Sequence, residues 1–188
     1  MEHIFQGVDG WFTFPNLYTS AVINAEVGSR FVEVGAWKGK SACYMAVEIV
    51  NSNKDIKFDV IDTWEGSDEL KSDPSVVNDT LYTEFLNNIE SVKHVINPIR
   101  STSLESSKLY EDSSLDFVFI DASHDYDNVR EDIATWYPKV KSNGILAGHD
   151  YYPEGNDQCG VMRAVDEFTS KNGYTPRLGE ACWAITKK

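Results

Sequence analysis

Five apolar runs in this sequence end in residues able to bind a ligand or move a proton. Glu33 closes the first and Asp62 the second, Ser103 lies just past the third, Asp121 with His124 follows the fourth, and His149 with Asp150 follows the fifth. In open α/β sheets ligands gather at the carboxyl ends of the strands, so this placement brings acids and histidines to one edge. Two kinds of chemistry follow. A histidine titrates near neutrality, which suits His124 to accepting a proton at pH 7; its plainer role is a local hydrogen bond at a helix start. Asp121, His149 and Asp150 offer two carboxylates and an imidazole to a cation. The oxygens suit Mg2+ or Mn2+, and the nitrogen favours a transition metal. Asp62 lies on the order of 20 residues past a glycine turn, where nucleotide-binding folds place a carboxylate on ribose hydroxyls. Capping the next turn is the alternative for it.

That glycine turn organises the chain. Residues 31–34 are β-prone, and Ala42, Met45, Ala46, Ile49 and Val50 form a helical stripe, so the segment between them is a strand-to-helix elbow. Gly35 and Gly39 let the backbone bend and a ligand approach, beside the free N–H groups of the new helix. A dinucleotide fingerprint would need glycines at Glu33 and Lys38. A phosphate loop has the right ending in Gly39, Lys40 and Ser41 but one residue too few, which removes an N–H from its nest. Glu33 would repel a phosphate and attract an ammonium.

The remaining pattern positions this turn. Helices are expected over 16–27, from the elbow to about residue 51, over 77–92, from about 127 to 140, and over 160–172, with a shorter one near 100–105. Strands are expected at 31–34, 57–62, 94–99, 115–121, 145–148, 174–178 and 182–186. Five strands alternating with helices and then a closing hairpin predict an α/β, Rossmann-like, doubly wound seven-stranded sheet, mostly parallel with one antiparallel strand and helices on both faces. The chain reads as one domain, 1–188, in which 1–28 is a helical cover; 1–12 has no assignable structure. The polar stretch 65–80 is either a solvated loop or a lid over the substrate.

Composition narrows the partners. Thirty acids against 17 Lys and Arg give a net charge of −13, which works against a nucleic acid polymer or an anionic membrane surface and leaves small neutral or cationic substrates. Cys43, Cys159 and Cys182 are odd in number and widely spaced, so neither a disulfide framework nor a zinc finger is signalled. No secretory signal or membrane-spanning run is evident, and a reducing, cytoplasmic setting is expected. No residue pattern sets an oligomeric state.

E-x-G-x-x-x-G from Glu33 to Gly39 resembles the first motif of class I S-adenosylmethionine-dependent methyltransferases, whose cofactor carries an amino-acid end and no phosphate. D-T-W-x-G, from Asp62 to Gly66, resembles the small bacterial and phage branch grouped with macrocin-type sugar O-methyltransferases. The resemblance implies S-adenosylmethionine as cofactor, held by Glu33, Gly35, Gly39, Ser41, Asp62, Thr63, Trp64, Ser103 and Asp121. Glu33 would meet the methionyl ammonium and Ser103, in an S-x-[DE] element with Glu105, would lie by the adenine unless it only caps a helix. His124 stands where the family's base is found, and Asp121 with the pair His149 and Asp150 resembles the cation site of metal-dependent O-methyltransferases, with His149 departing from a strictly acidic pair. The acceptor implied is a hydroxyl on a small molecule or sugar, which Trp64, Tyr151 and Tyr152 would line or merely pack beside. A nucleotide hydrolase using the shortened loop and a cofactor-binding module without turnover are the two rival functions.

Overall fold

The fold is seen in a computed structural model that describes residues 1–67, 70–152 and 159–188. Seven strands form one sheet in the order β3-β2-β1-β4-β5-β7-β6: β1 Arg30–Val34, β2 Lys57–Asp62, β3 Ile96–Arg100, β4 Leu115–Ile120, β5 Val140–Gly148, β6 Arg177–Gly179 and β7 Cys182–Thr186. The first five run parallel, and β7 runs antiparallel to β5 and β6. The doubly wound sheet with a single reversed strand is thus as expected.

Alternation along each strand divides the core in two. Phe31, Phe58, Phe117 and Phe119 face one layer, where α1 Pro15–Asn24, α2 Lys40–Ser52 and α4 Leu81–Asn88 pack. Val32, Val34, Val118 and Ile120 face the other, against α6 Tyr126–Trp136 and α7 Cys159–Asn172. Helices therefore cover both faces. The expected helix over 77–92 is instead two, α3 Pro74–Val77, capped by Asp73, and α4. α5 is Ser103–Ser107, with Thr102 rather than Ser103 as its cap. β5 starts at Val140, five residues before the expected strand, because the apparent turn at Asn143 (φ 66°) is absorbed inside the strand.

Residues 1–14 acquire a place. His3 stacks on Tyr44 of α2 at 4.3 Å and 7°, and Phe5, Phe12, Phe14 and Tyr18 continue edge-on as one aromatic cluster. This lays the N-terminal segment across α2 and brings Asp9, Trp11 and Thr13 to the carboxyl edge of the sheet.

Register aligns that edge. Val34 pairs with Ile61 and Ile120, and Ile120 with Gly148, so the residues that follow leave the sheet side by side. Gly35 N donates to Ile61 O (2.8 Å), Asp121 N to Val34 O (2.8 Å) and His149 N to Ile120 O (3.2 Å).

Candidate active site

Above this edge lies a cavity of about 530 Å³, within the range of small-molecule sites. Of the residues expected at the site, Gly35, Ser41, Asp62, Thr63, Ser103, Asp121, His124, His149 and Asp150 are on its wall. Glu33, Gly39 and Trp64 stand behind it.

The elbow is held from below by Asp62. Its Oδ2 accepts from the backbone N–H of Ala36 (2.8 Å) and Trp37 (3.0 Å), and its Oδ1 from that of Trp64 (2.7 Å). Asp62 thus caps its own turn, the alternative expected for it, and also lines the cavity. Gly35 (φ 88°) has no substitute, since a Cβ there would lie 2.0 Å from the carbonyl oxygen of Asp121. Gly39 (φ 87°) starts α2 and lies against Phe85.

Glu33 is 1% exposed. Its Oε1 accepts a short hydrogen bond from the Ser41 hydroxyl, which is on the wall, while its Oε2 is buried without a partner. Burial pushes this carboxyl up to about 8, against the opposing pull of Ser41. Tyr18, whose hydroxyl also lacks a hydrogen bond of regular geometry, is near enough for the two groups to raise and lower one another.

The far wall holds the acid and histidine cluster. His124 Nε2 lies 2.8 Å from Asp150 Oδ2. His149 Nδ1 is 3.2 Å from Asp150 Oδ1 and its Nε2 pairs with Thr13 Oγ1 at 2.9 Å. Burial works to raise the Asp150 carboxyl, but the two histidines outweigh it and hold it well below the usual carboxylate range. Burial raises Asp121 to about 6, partly offset by His149. Ligand atoms of Asp121, His124 and Asp150 all lie within 4.8 Å of one another, a candidate cation site among the described residues, and His149 Nδ1 stands 3.8 Å from Asp121 Oδ1 beside it. Both nitrogens of His149 face Thr13 and Asp150, a supporting arrangement.

Other expectations are redistributed. Trp64 is 2% exposed, packs on Tyr82 and Phe85 at 4.6 Å, and donates its indole N–H to Trp37 O (3.0 Å), so it braces the elbow from the core. Ser103 reaches the wall, but its hydroxyl is shared by Asp132 and the Trp136 indole, and Glu105 pairs with Lys108. Tyr152 lines the cavity, whereas Tyr151 bonds Asp166 (2.7 Å). Trp37, Lys40 and the N-terminal trio Asp9, Trp11 and Thr13 went unassigned from the sequence. The trio's signal was the density of aromatics between Phe5 and Phe14.

Solved structures share this architecture. The O-methyltransferase NovP superposes with a TM-score of 0.68 at 17% identity, over 93% of this chain and 79% of that one. An O-methyltransferase from Bacillus cereus, in complex with SAH, gives 0.67 at 14%, over 100% and 92%. At such identities the likeness is one of fold. Uncharacterized protein y4gI of Sinorhizobium fredii is 24% identical over 121 residues, which are 64% of this chain but only 13% of that protein's length. The profile of the methyltransferase domain family matches residues 32–151, from the first strand through the elbow to Asp150, and by that match the chain belongs to this family as a class I S-adenosylmethionine-dependent methyltransferase.

Proposed function

We propose that the chain methylates a hydroxyl oxygen on a small molecule or sugar, with His124 as general base and Asp150 orienting it. The observation that carries this reading is the 2.8 Å His124–Asp150 pair in the same cavity as the glycine elbow. The residues fit the donor: an ammonium brought near the buried Glu33 Oε2 would draw off the proton that burial keeps on this carboxyl up to about 8, and Gly35 leaves no Cβ between the elbow and a ligand. The methyl donor supplies an electrophilic carbon on a sulfonium. The chain's own task is to hold donor and acceptor in line, exclude water and take the hydroxyl proton on the His124 imidazole. Asp62 keeps the elbow in shape and has lone-pair capacity left for a ribose hydroxyl.

The cluster of Asp121, His124 and Asp150 fits a divalent cation as the alternative to a His124 base, since an imidazole that ligates the ion has no lone pair left for the acceptor's proton; its mixed oxygen and nitrogen donors favour Mn2+ over Mg2+. Such an ion would lower the pKa of the acceptor hydroxyl. We read 65–80 as a cover for the acceptor: Gly66, Ser67 and Leu70 lie on the wall, and Lys38 ties α3 down through Asp73 at 3.9 Å; Asp68 and Glu69 lie outside the described residues. The N-terminal segment belongs to the same single domain. Net charge −13 supports a small partner over a nucleic acid or membrane, and the buried free thiols of Cys43 and Cys182 accord with a reducing cytoplasm. No described helix is long and apolar enough to cross a membrane.

Calorimetric titration with S-adenosylhomocysteine and with ATP tests the donor: binding of the first alone is expected, and tight binding of ATP alone would return the elbow to the phosphate-loop reading. Methyl transfer from labelled donor to a panel of small hydroxyl acceptors tests the base. His124→Ala should lower turnover roughly 100-fold or more with cofactor affinity retained. A variant as active as wild type removes His124 from the reaction.

A further inference from the structure

Of the large apolar side chains that stand exposed, Trp11 alone among the described residues lines the cavity, and at 74% exposure its indole is open to a ligand. An indole left in water is an unused apolar face, because few side chains bury as much area when covered. Trp64, Trp136 and Trp183 are spent in the core, and Trp37 is half-buried with the Lys38 ammonium 5.7 Å from its ring centroid. Trp11 is placed from both sides. Before it, Gly10 (φ 119°) turns the chain against Trp37, where a Cβ would lie 3.4 Å from Cδ1. After it, Phe12 and Phe14 pack edge-on at 4.8 Å, and Thr13 Oγ1 is 2.9 Å from His149 Nε2. Two residues of chain span at most about 7 Å even when extended. The Trp11 backbone is therefore tied close to the corner of His149 and Asp150.

Asp9 lies on the same wall, two residues earlier. The other wall carboxylates are engaged: Asp62 accepts from three backbone N–H groups, Asp150 faces both histidines, and Asp121 is 3.8 Å from His149. Asp9 is exposed and has no hydrogen bond or ion pair. Among the described residues Lys40 is the one lysine on this wall, so in a chain of net charge −13 the cavity favours a ligand that brings positive charge.

Resting on the hydroxyl-transfer reading above, we propose that Trp11 and Asp9 form the acceptor subsite and select a ring that carries a protonated amine besides the hydroxyl to be methylated. The indole covers one face of the ring and attracts the cation through its quadrupole, while the Asp9 carboxylate accepts from the ammonium. A protonated amine has no lone pair, so this group is held and not methylated. Trp11 and Asp9 are specificity residues for the acceptor.

Two matched sets of ring compounds test this: dopamine, 4-methylcatechol and dihydrocaffeate, and glucosamine, glucose and glucuronate. Each set keeps ring hydroxyls and runs from cation through neutral to anion. Calorimetric titration into the protein loaded with S-adenosylhomocysteine should rank the cation first in at least one set, about threefold or more above the neutral member. In that set Asp9→Asn should level the cation with the neutral member. Trp11→Ala should weaken both about fivefold, and Trp11→Phe should recover part of the loss, with S-adenosylhomocysteine affinity kept throughout. Three results overturn the proposal: no cationic preference or no binding at millimolar concentration in either set, a preference that survives Asp9→Asn, or a Trp11→Ala variant that loses S-adenosylhomocysteine as much as the ring compounds. Binding is read apart from turnover. A cation held through Trp11 and Asp9 with no methyl passed to any hydroxyl would remove the hydroxyl-transfer reading and leave the subsite standing.

Discussion

Glu33 is the residue at which burial and function pull hardest against each other. A carboxyl ordinarily titrating at 4.5 is pushed up to about 8 by desolvation, with Ser41 from α2 and Tyr18 from α1 working to lower it and Asp121 and Asp62 adding to the rise. Between those two pH values the folded chain holds a proton that the unfolded chain has released, so the stability contributed by Glu33 is complete below about pH 4.5 and is lost as pH rises toward 8. Glu33→Gln preserves the shape without titrating. Without donor, its melting temperature should match or trail wild type near pH 5 and overtake it progressively toward pH 8. A difference constant across that range would mean that Glu33 is ionised throughout. The residue type was legible, as an acid at a strand end before glycine. Its withdrawal behind Ser41 was not, because it depends on α1 and α2 closing over β1. Trp64 teaches the same: D-T-W marked the place, while contacts with Tyr82 and Phe85, 18 and more residues onward, turned the indole inward.

At the scale of elements, periodicity served wherever an element buries one stripe or one face, and failed wherever partners are distant. β2 and β7 lie where expected, being apolar runs between polar turns. The N-terminal segment has no period of its own, since His3, Phe5 and Phe12 each pack on rings supplied by α1 and α2. The same segment supplies Thr13 to His149, so part of the candidate site was hidden with it. The strand ends themselves are tied through Gly35. Gly35→Ala would drive a Cβ to 2.0 Å from the Asp121 carbonyl oxygen at φ 88°, against the backbone of Asp121 and Ala122 with no flexible side chain to yield. β1 and β4 must then part at the cavity, and the variant should lose S-adenosylhomocysteine binding along with many degrees of thermal stability. Gly173→Ala, at φ 68° with open space around it, is the control: it should cost only the left-handed strain of roughly 1–2 kcal/mol. Equal effects at the two positions would mean that close approach at the elbow is not what requires glycine.

For the whole molecule, net charge sets a background against which any cation site must be measured. At −13 the folded chain repels itself, and monovalent salt should raise its melting temperature gradually by screening. A divalent ion held by Asp121, His124 and Asp150 acts differently, because a ligand bound only by the folded state stabilises it in proportion to the logarithm of its concentration over its dissociation constant. Micromolar to millimolar Mn2+ is therefore expected to raise the melting temperature at constant ionic strength, and a chelator to reverse the effect. Asp150→Asn separates the two mechanisms: it changes the total charge by one, leaving the salt response nearly intact, but removes a carboxylate shared by both histidines. The Mn2+ response should vanish in this variant while the response to NaCl persists. If Mn2+ stabilises wild type and Asp150→Asn alike, the ion is screening the acidic surface, and proton removal at the cavity falls to His124 without metal assistance.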